Sequence, residues 1–400
     1  LGAVLKELGQ LKEAEISTRK AIKIKPDFAM AHSNLGNILR GLGKLKDAEL
    51  STRKAIEINP DYADAHYNMG CILKDLCKLK EAELSTRKAI EINPNYANAH
   101  NNLGIILIDL GKLEEAELSY RKAIELKPDF AEAHYNLGNT LKDLGKLQEA
   151  ELSQRKAIEI KPDFAEAHSN LGNILKDLGD LQEAEFSYCN AIKIKPNLAD
   201  LHLNLGIILR DLGKLQESFD SYLRVIEIDP THPSIYSFVT ELLQYSDPSH
   251  FNKSNLKNIL NRLLEKDNIS HKKLFRAFNF LYNNEIIMSL DKLDSDYSKN
   301  ELIFNDKLII NALKKIIFRD LKLEKMLTKI RKKMCNRITK NTYNICYSEL
   351  QFIIALGEQC FLNEYVYPLS KEEKVSLKII IKRCQDNELN EINIICIFRY

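Results

Sequence analysis

Two residue types able to do chemistry recur at one interval. His32, His66, His100, His134, His168 and His202 stand 34 residues apart, and Asn34, Asn68, Asn102, Asn136, Asn170 and Asn204 keep the same interval two positions later. Histidine suggests metal binding or proton transfer, whereas an asparagine amide offers a donor and an acceptor that match a peptide main chain. Basic side chains recur too, at Arg40, Lys74, Lys142, Lys176 and Arg210, but Asp75, Asp109, Asp143, Asp177 and Asp211 interleave with them. That mixed field reads as a solvated face. The eight cysteines form no C-x-x-C pair and no regular spacing, so neither a zinc ribbon nor a disulfide framework is suggested. They read as reduced thiols in a cytoplasm.

The histidines fail as a metal site on distance. Equivalent atoms on packed neighbouring helical units lie about 9 Å apart, while a zinc–nitrogen bond is about 2 Å. They read as core or groove-edge residues. No nucleophile–base set, metal-ligand cluster or phosphate loop stands out, so no catalysis by these 400 residues, no metal and no cofactor are expected. No apolar run reaches the roughly 18 residues that span a bilayer, so no membrane partner is expected.

The elements that must position the asparagines follow from the same period. Pro26, Pro60, Pro94, Pro128, Pro162, Pro196 and Pro230 are 34 apart, as are Gly2, Gly36, Gly70, Gly104, Gly138, Gly172 and Gly206. Within Ala29 to Tyr62, Ala31, Leu35, Ile38, Leu39 and Leu42 place one apolar stripe on a first helix. Gly43 follows as its stop. Leu45, Ala48, Ala55 and Ile56 place a second stripe, which ends at Asn59-Pro60 because proline lacks the amide hydrogen and disfavours helix in the residue before it. Gly36 and Ala48 are small enough to let the two helices approach closely.

A helix-turn-helix unit of 34 residues with Leu35-Gly36, Ala48, Ala55, Pro60 and their copies resembles the tetratricopeptide repeat. The resemblance implies an all-α fold: a right-handed superhelix of stacked hairpins, followed here by an irregular helical domain. The expected layout is a partial repeat at 1–28, six repeats over 29–232, a capping helix and linker at 233–250, and a helical C-terminal domain at 251–400. Because Leu1-Gly2 falls in mid-repeat, the start of an array is expected upstream. His32, Leu39 and Thr52 or Gln154 depart from the consensus, and Cys77 replaces one turn glycine.

Stacked repeats generate a groove lined by their first helices, and asparagine is a poor mid-helix residue on propensity. The six copies resemble the asparagine ladder of the O-linked N-acetylglucosamine transferase repeats, which implies that they hold the backbone of an extended client. Two readings stand: this ladder, or amides that bond neighbouring repeats and set the pitch. Tyr67, Tyr135, Lys142 and Lys176, with Ser33, Asn101, Ser169 and Leu203, are the flanking positions expected to select the client. Serine, tyrosine and asparagine at the first groove positions exclude a carboxylate clamp.

After Pro230 the period stops. Ser234 to Gln244 suits a capping helix, and Leu256, Ile259, Leu260 and Leu263, then Leu308, Ala312, Ile316 and Phe318, suit further helices. Residues 231–400 hold 27 Lys and Arg against 20 Asp and Glu, while residues 1–230 hold 31 against 36. The basic run from Lys322 to Lys340 reads as a solvated helix face over a core, so nucleic acid is not the expected partner. Leu350 to Leu369 resembles the helical region that precedes an S-adenosylmethionine-dependent methyltransferase domain in some bacterial repeat proteins; the glycine-rich cofactor turn of such a domain is absent, and the apolar ending INIICIFRY suits a chain cut before it. The expected function is a cytoplasmic scaffold for a protein or peptide client, with self-association left open. The alternative is the targeting portion of a methyltransferase or glycosyltransferase.

Overall fold

The computed structural model describes residues 9–282, 305–317 and 321–339, with parts of 351–359 and 371–379. Among these residues there are helices and turns but no strand, and no helix is long and apolar enough to cross a membrane. Leu1-Gly2, most of Leu350 to Leu369, Phe318 and INIICIFRY lie outside the described residues. The chain divides into two compact units, Leu1–Leu201 and His202–Tyr400.

Among the described residues the first unit begins with α1 (Leu11–Ile24) and continues as five helical hairpins. Their first, or A, helices are α2 (Ala29–Gly41), α4 (Ala63–Asp75), α6 (Ala97–Asp109), α8 (Ala131–Asp143) and α10 (Ala165–Leu178). Their second, or B, helices are α3 (Leu45–Ile58), α5 (Leu79–Ile92), α7 (Leu113–Leu126), α9 (Leu147–Ile160) and α11 (Leu181–Ile194). Helix α12 (Ala199–Asp211) crosses the boundary between the units. Each of these A helices packs on its own B helix and on the B helix before it, and α2, α4, α6 and α8 also pack on the next A helix.

The A-to-B turn is made by backbone alone. Lys44 N–H donates to Leu39 C=O and Gly43 N–H to Arg40 C=O, with Gly43 at φ +75°, the left-handed C-terminal turn that satisfies two otherwise orphaned carbonyls. Cys77 holds the same turn at φ +58° without being glycine, and its N–H still reaches Lys74 C=O at 2.8 Å. Ala48, Ala55, Ala82, Ala89, Ala116 and Ala123 are fully buried, so the helices meet at alanine distance. Larger groups fill what remains: Leu103, Leu107, Tyr120, Leu137, Leu141 and Ile174 form one cluster running through three repeats. A core continuous from repeat to repeat is what makes a lone repeat unstable.

The histidines belong to this scaffold. The Nε2 atoms of His32, His66, His100, His134 and His168 lie 2.8–3.0 Å from the carbonyl oxygens of Pro26, Pro60, Pro94, Pro128 and Pro162, each six residues earlier. Each ring thus latches an A helix to the turn that ends the preceding B helix. In the second unit Tyr236 Oη donates to Pro230 C=O at 3.0 Å at the equivalent position. Among the described residues no group of three His, Cys, Asp or Glu side chains could hold a metal ion.

Charge links the B helices. Glu49 accepts from Arg53 on its own helix and from Lys78 of the next repeat, and Glu15, Glu83 and Glu117 repeat the arrangement with Arg19 and Lys44, Arg87 and Lys112, and Arg121 and Lys146. In the fifth hairpin Asp180 stands where these lysines stand, and caps α11 instead by accepting from Glu183 N–H. Hydrogen bonds from Arg53 and then Lys78 hold the Glu49 carboxyl below its ordinary 4.5; at Glu117 burial pushes upward, but Lys146 and Arg121 outweigh it. Depressed values mean that the folded state binds fewer protons than the unfolded chain. The ladder therefore contributes fully above the ordinary value and is lost as pH falls through the depressed ones. Urea midpoints measured down a pH series should stay level near neutrality and drop below about pH 4.5, by roughly 0.2–1 kcal/mol per pair since the basic partners are half exposed. Glu49→Gln and Glu83→Gln together should flatten that acid slope, and an unchanged slope would show that the ladder is not its cause.

The second unit contains α13 (Leu215–Ile228), α14 (Ile235–Tyr245), a short turn at Pro248–His250 and α15 (Lys253–Leu264), then helices Lys307–Lys315 and Leu321–Thr339. Asp306 ties it together: its carboxylate caps Leu308 and Ile309 N–H and accepts from Lys257 Nζ at 2.9 Å and Tyr282 Oη at 3.1 Å. Leu256, Ile259, Leu260, Leu263, Leu308 and Ala312 are buried as their spacing predicts. Two details differ. Ile316 is buried but lies just past the helix, in extended backbone, because the helix ends at Lys315. Arg331, expected on the solvated basic face, is only 8% exposed, so that run is not one continuous charged stripe.

Candidate functional site

The six asparagines sit in the middle of the A helices, two residues after the histidine of each latch position. Asn34, Asn68, Asn136, Asn170 and Asn204 are half-buried and Asn102 is buried. Four amides face the preceding repeat. Asn68 Nδ2 donates to Ser33 Oγ at 2.9 Å, Asn136 Nδ2 to Asn101 Oδ1 at 3.1 Å, Asn170 Nδ2 to Asn139 Oδ1 at 2.7 Å, and Asn102 Nδ2 reaches Thr86 Oγ1 at 3.5 Å. Asn34 and Asn204 make no side-chain hydrogen bond among the described residues. The geometry of the four amides thus includes the repeat-to-repeat contact, with each donor turned inward and the amide oxygen left as the group able to accept from a main-chain N–H.

The flanking residues are less free than their spacing suggests. Tyr67 packs tilted against Tyr96 at 5.1 Å between centroids and Tyr135 against Phe164 at 4.8 Å, each partner leading into the next A helix. Burial, followed by the neighbouring Cys71 thiol, pushes the Tyr67 phenol well above its ordinary range, so it is a neutral donor at physiological pH. Ser33 is 1% exposed and Leu203 is buried, so neither can select a client by side-chain contact. Arg40 Nε donates to Asp75 at 2.5 Å and Lys142 Nζ lies 3.8 Å from Asp177, each a basic residue paired with the aspartate of the following repeat. Lys176 is exposed and makes no ion pair among the described residues. Two of the basic residues in the mixed field are thus in cross-repeat pairs, while Arg210 pairs with the adjacent Asp211 of its own repeat.

Asn139 and Asn173 carry no expectation from the sequence, and Gln154 stands there only as a departure from the consensus aromatic. Gln154 Nε2 donates to Tyr135 C=O at 3.1 Å and Asn139 Oδ1 at 2.8 Å, and Tyr188 Oη donates to Asn173 Oδ1 at 2.7 Å. Gln154 Oε1 is buried without a hydrogen-bond partner. A signal existed: Asn37, Asn139 and Asn173 also share the 34-residue register, three positions after the ladder. That is one helical turn along the same face.

Family models of the tetratricopeptide repeat match residues 1–28, 29–62, 63–96, 86–117 and 199–232, and a TPR repeat model matches 104–145, 138–179 and 172–209. Together they run through residues 1–232 of the 400. No curated protein matches the chain. Among solved structures, the APC/C hetero-tetramer Cut9-Hcn1 is similar in fold, at TM-score 0.51 and 15% identity, over 60% of this chain and 48% of that one. YrrB, described as a TPR protein with an unusual peptide-binding site, aligns at 27% identity and TM-score 0.39 over 45% of this chain and 92% of its own. PilF of Pseudomonas aeruginosa aligns at 21% and 0.49 over 53% and 97%.

Proposed function

We propose, from the premise that this chain belongs to the tetratricopeptide-repeat family, that it is an interaction scaffold whose A helices hold an extended segment of another protein. The observation that carries this reading is the row of amides from Asn34 to Asn204. They keep one register through six repeats, and an amide that recurs where propensity disfavours it is most simply explained by a repeating main-chain partner. An extended peptide advances about 3.3 Å per residue, so about three residues correspond to one 8–10 Å packing step. The likeness to the O-linked N-acetylglucosamine transferase ladder points the same way, and the cytoplasmic, non-catalytic character read from the sequence is part of the same proposal.

The inward hydrogen bonds of four amides make Asn34 the informative residue. Asn34→Ala removes no hydrogen bond among the described residues, whereas Asn136→Ala and Asn170→Ala remove cross-repeat bonds as well. Peptides selected from a random displayed library against the full chain supply the probe. With Asn34→Ala the affinity should fall by about 1 kcal/mol, the scale of one lost hydrogen bond, while the thermal midpoint stays put. If all three variants lower the midpoint or leave it alone while peptide affinity never changes, the amides are pitch-setting residues and the ladder reading fails.

A further inference from the structure

The B helices invert the usual partition of residues. At adjacent positions in five units the chain places a glutamate inward and a large apolar residue outward. The side chains of Glu15, Glu49, Glu83, Glu117 and Glu151 are only 11–25% exposed, while Ile16, Leu50, Leu84, Leu118 and Leu152 are 58–70% exposed. Phe186, in the next register, is 65% exposed. Exchanging the two residues in any unit would bury the leucine and solvate the carboxylate, so six repeats of the opposite order call for a partner on the outside.

We propose that this stripe is an interface between two copies of the chain, the outer B-helix ridges of one seated in the inter-helix grooves of the other. Three observations select that occupant. The first is area: at about 120 Å² apiece six such side chains present roughly 700 Å² per copy, close to the 800 Å² per partner of a standard stable interface. The second is charge. Several of the ionic groups flanking the stripe are already paired within each copy, as Arg53 with Glu49 and Lys54 with Glu57, and likewise Lys88 with Glu91 and Lys122 with Glu125. Like surfaces can therefore meet without net repulsion. The third is period. Between α9 and α11 a groove of about 630 Å³ opens beside Phe186, lined also by Ile158, Leu171 and His168. A stripe that repeats every 34 residues offers ridge after groove, and a second copy has the matching step by construction. Two-fold pairing then seats a ridge of each copy in that groove of the other.

Sedimentation equilibrium of the full chain, over a wide concentration range, tests this. The wild type should fit a monomer–dimer equilibrium, and Leu84→Lys with Leu118→Lys and Leu152→Lys should leave only monomer while the helical circular-dichroism spectrum is unchanged. Should the triple variant fail to fold, Leu118→Ser alone should raise the dimer dissociation constant by about 30-fold, as for a residue at the centre of an interface. A wild type that stays monomeric, or a dimer that tolerates both variants, overturns the proposal. So does a monomer that cosediments with phosphatidylcholine vesicles, which would assign the stripe to a lipid surface. None of these outcomes depends on peptide binding by the A helices.

Discussion

Tyr120→Ala is expected to lower stability by about 3–5 kcal/mol, the range for removing a large buried aromatic. Tyr120 is 2% exposed, lies on a B helix, and joins the cluster that runs from Leu103 through Leu137 to Ile174. Its ring occupies the space above Gly104. Removing it opens a void that rigid helix backbones on both sides cannot close, so the loss includes the cavity as well as the transferred surface. Because stacked repeats unfold as coupled units, the effect should appear twice: as a lower urea midpoint for the array, and as faster amide exchange in residues 97–150 than in residues 29–62. A midpoint shift no larger than that of an exposed Leu84→Ala control would refute the packing role assigned to Tyr120.

Gly104→Val is the complementary experiment. On helix propensity alone, replacing a mid-helix glycine should be neutral or slightly favourable. Here a β-carbon at residue 104 would lie 2.5 Å from the Tyr120 ring, a distance that forces the ring or the helix to move. The expected result is a net loss of about 1–3 kcal/mol, and more if the ring cannot turn. Combining Gly104→Ala with Tyr120→Ala tests the cause: the added methyl group then enters the vacated space, and the pair should be less damaging than the sum by about 0.5–3 kcal/mol. Strict additivity would mean that the two residues do not share that contact. The same close approach recurs at Gly172 over Tyr188 and at Gly206 over Tyr222, whereas Gly36 and Gly70 face the hydroxyls of Thr52 and Thr86. The departures from the consensus aromatic are therefore compensated locally, by a smaller side chain whose hydroxyl bonds its own helix.

How far the candidate site could be read in advance depends on what kind of contact each residue makes. The asparagine and histidine registers are visible as intervals, but intervals do not say which way a side chain points. The histidines proved to be latches because each lies six residues after a proline, a spacing that brings its ring onto that proline's carbonyl only once the chain has turned from one helix into the next. The amides proved to bond neighbours because Ser33, Asn101 and Asn139 stand on the adjacent A helix, 31–35 residues away. The aromatic pairs Tyr67–Tyr96 and Tyr135–Phe164 were likewise invisible, since each joins residues 29 apart across a whole B helix.

The sequence by itself determined the helical hairpin, its length and its repetition, because those depend on local matters: apolar spacing, a glycine or its substitute at positive φ, and a proline that ends each B helix. It also determined the inverted Glu-Leu order of the B helices, though not its meaning. Only the tertiary structure decided that Glu49 faces inward between Arg53 and Lys78 while Leu50 faces out, and that Arg40 is bound to Asp75. Stacking decides this, since a side chain's surroundings are set by the neighbouring repeat, and the same residue on an isolated hairpin would have water there instead.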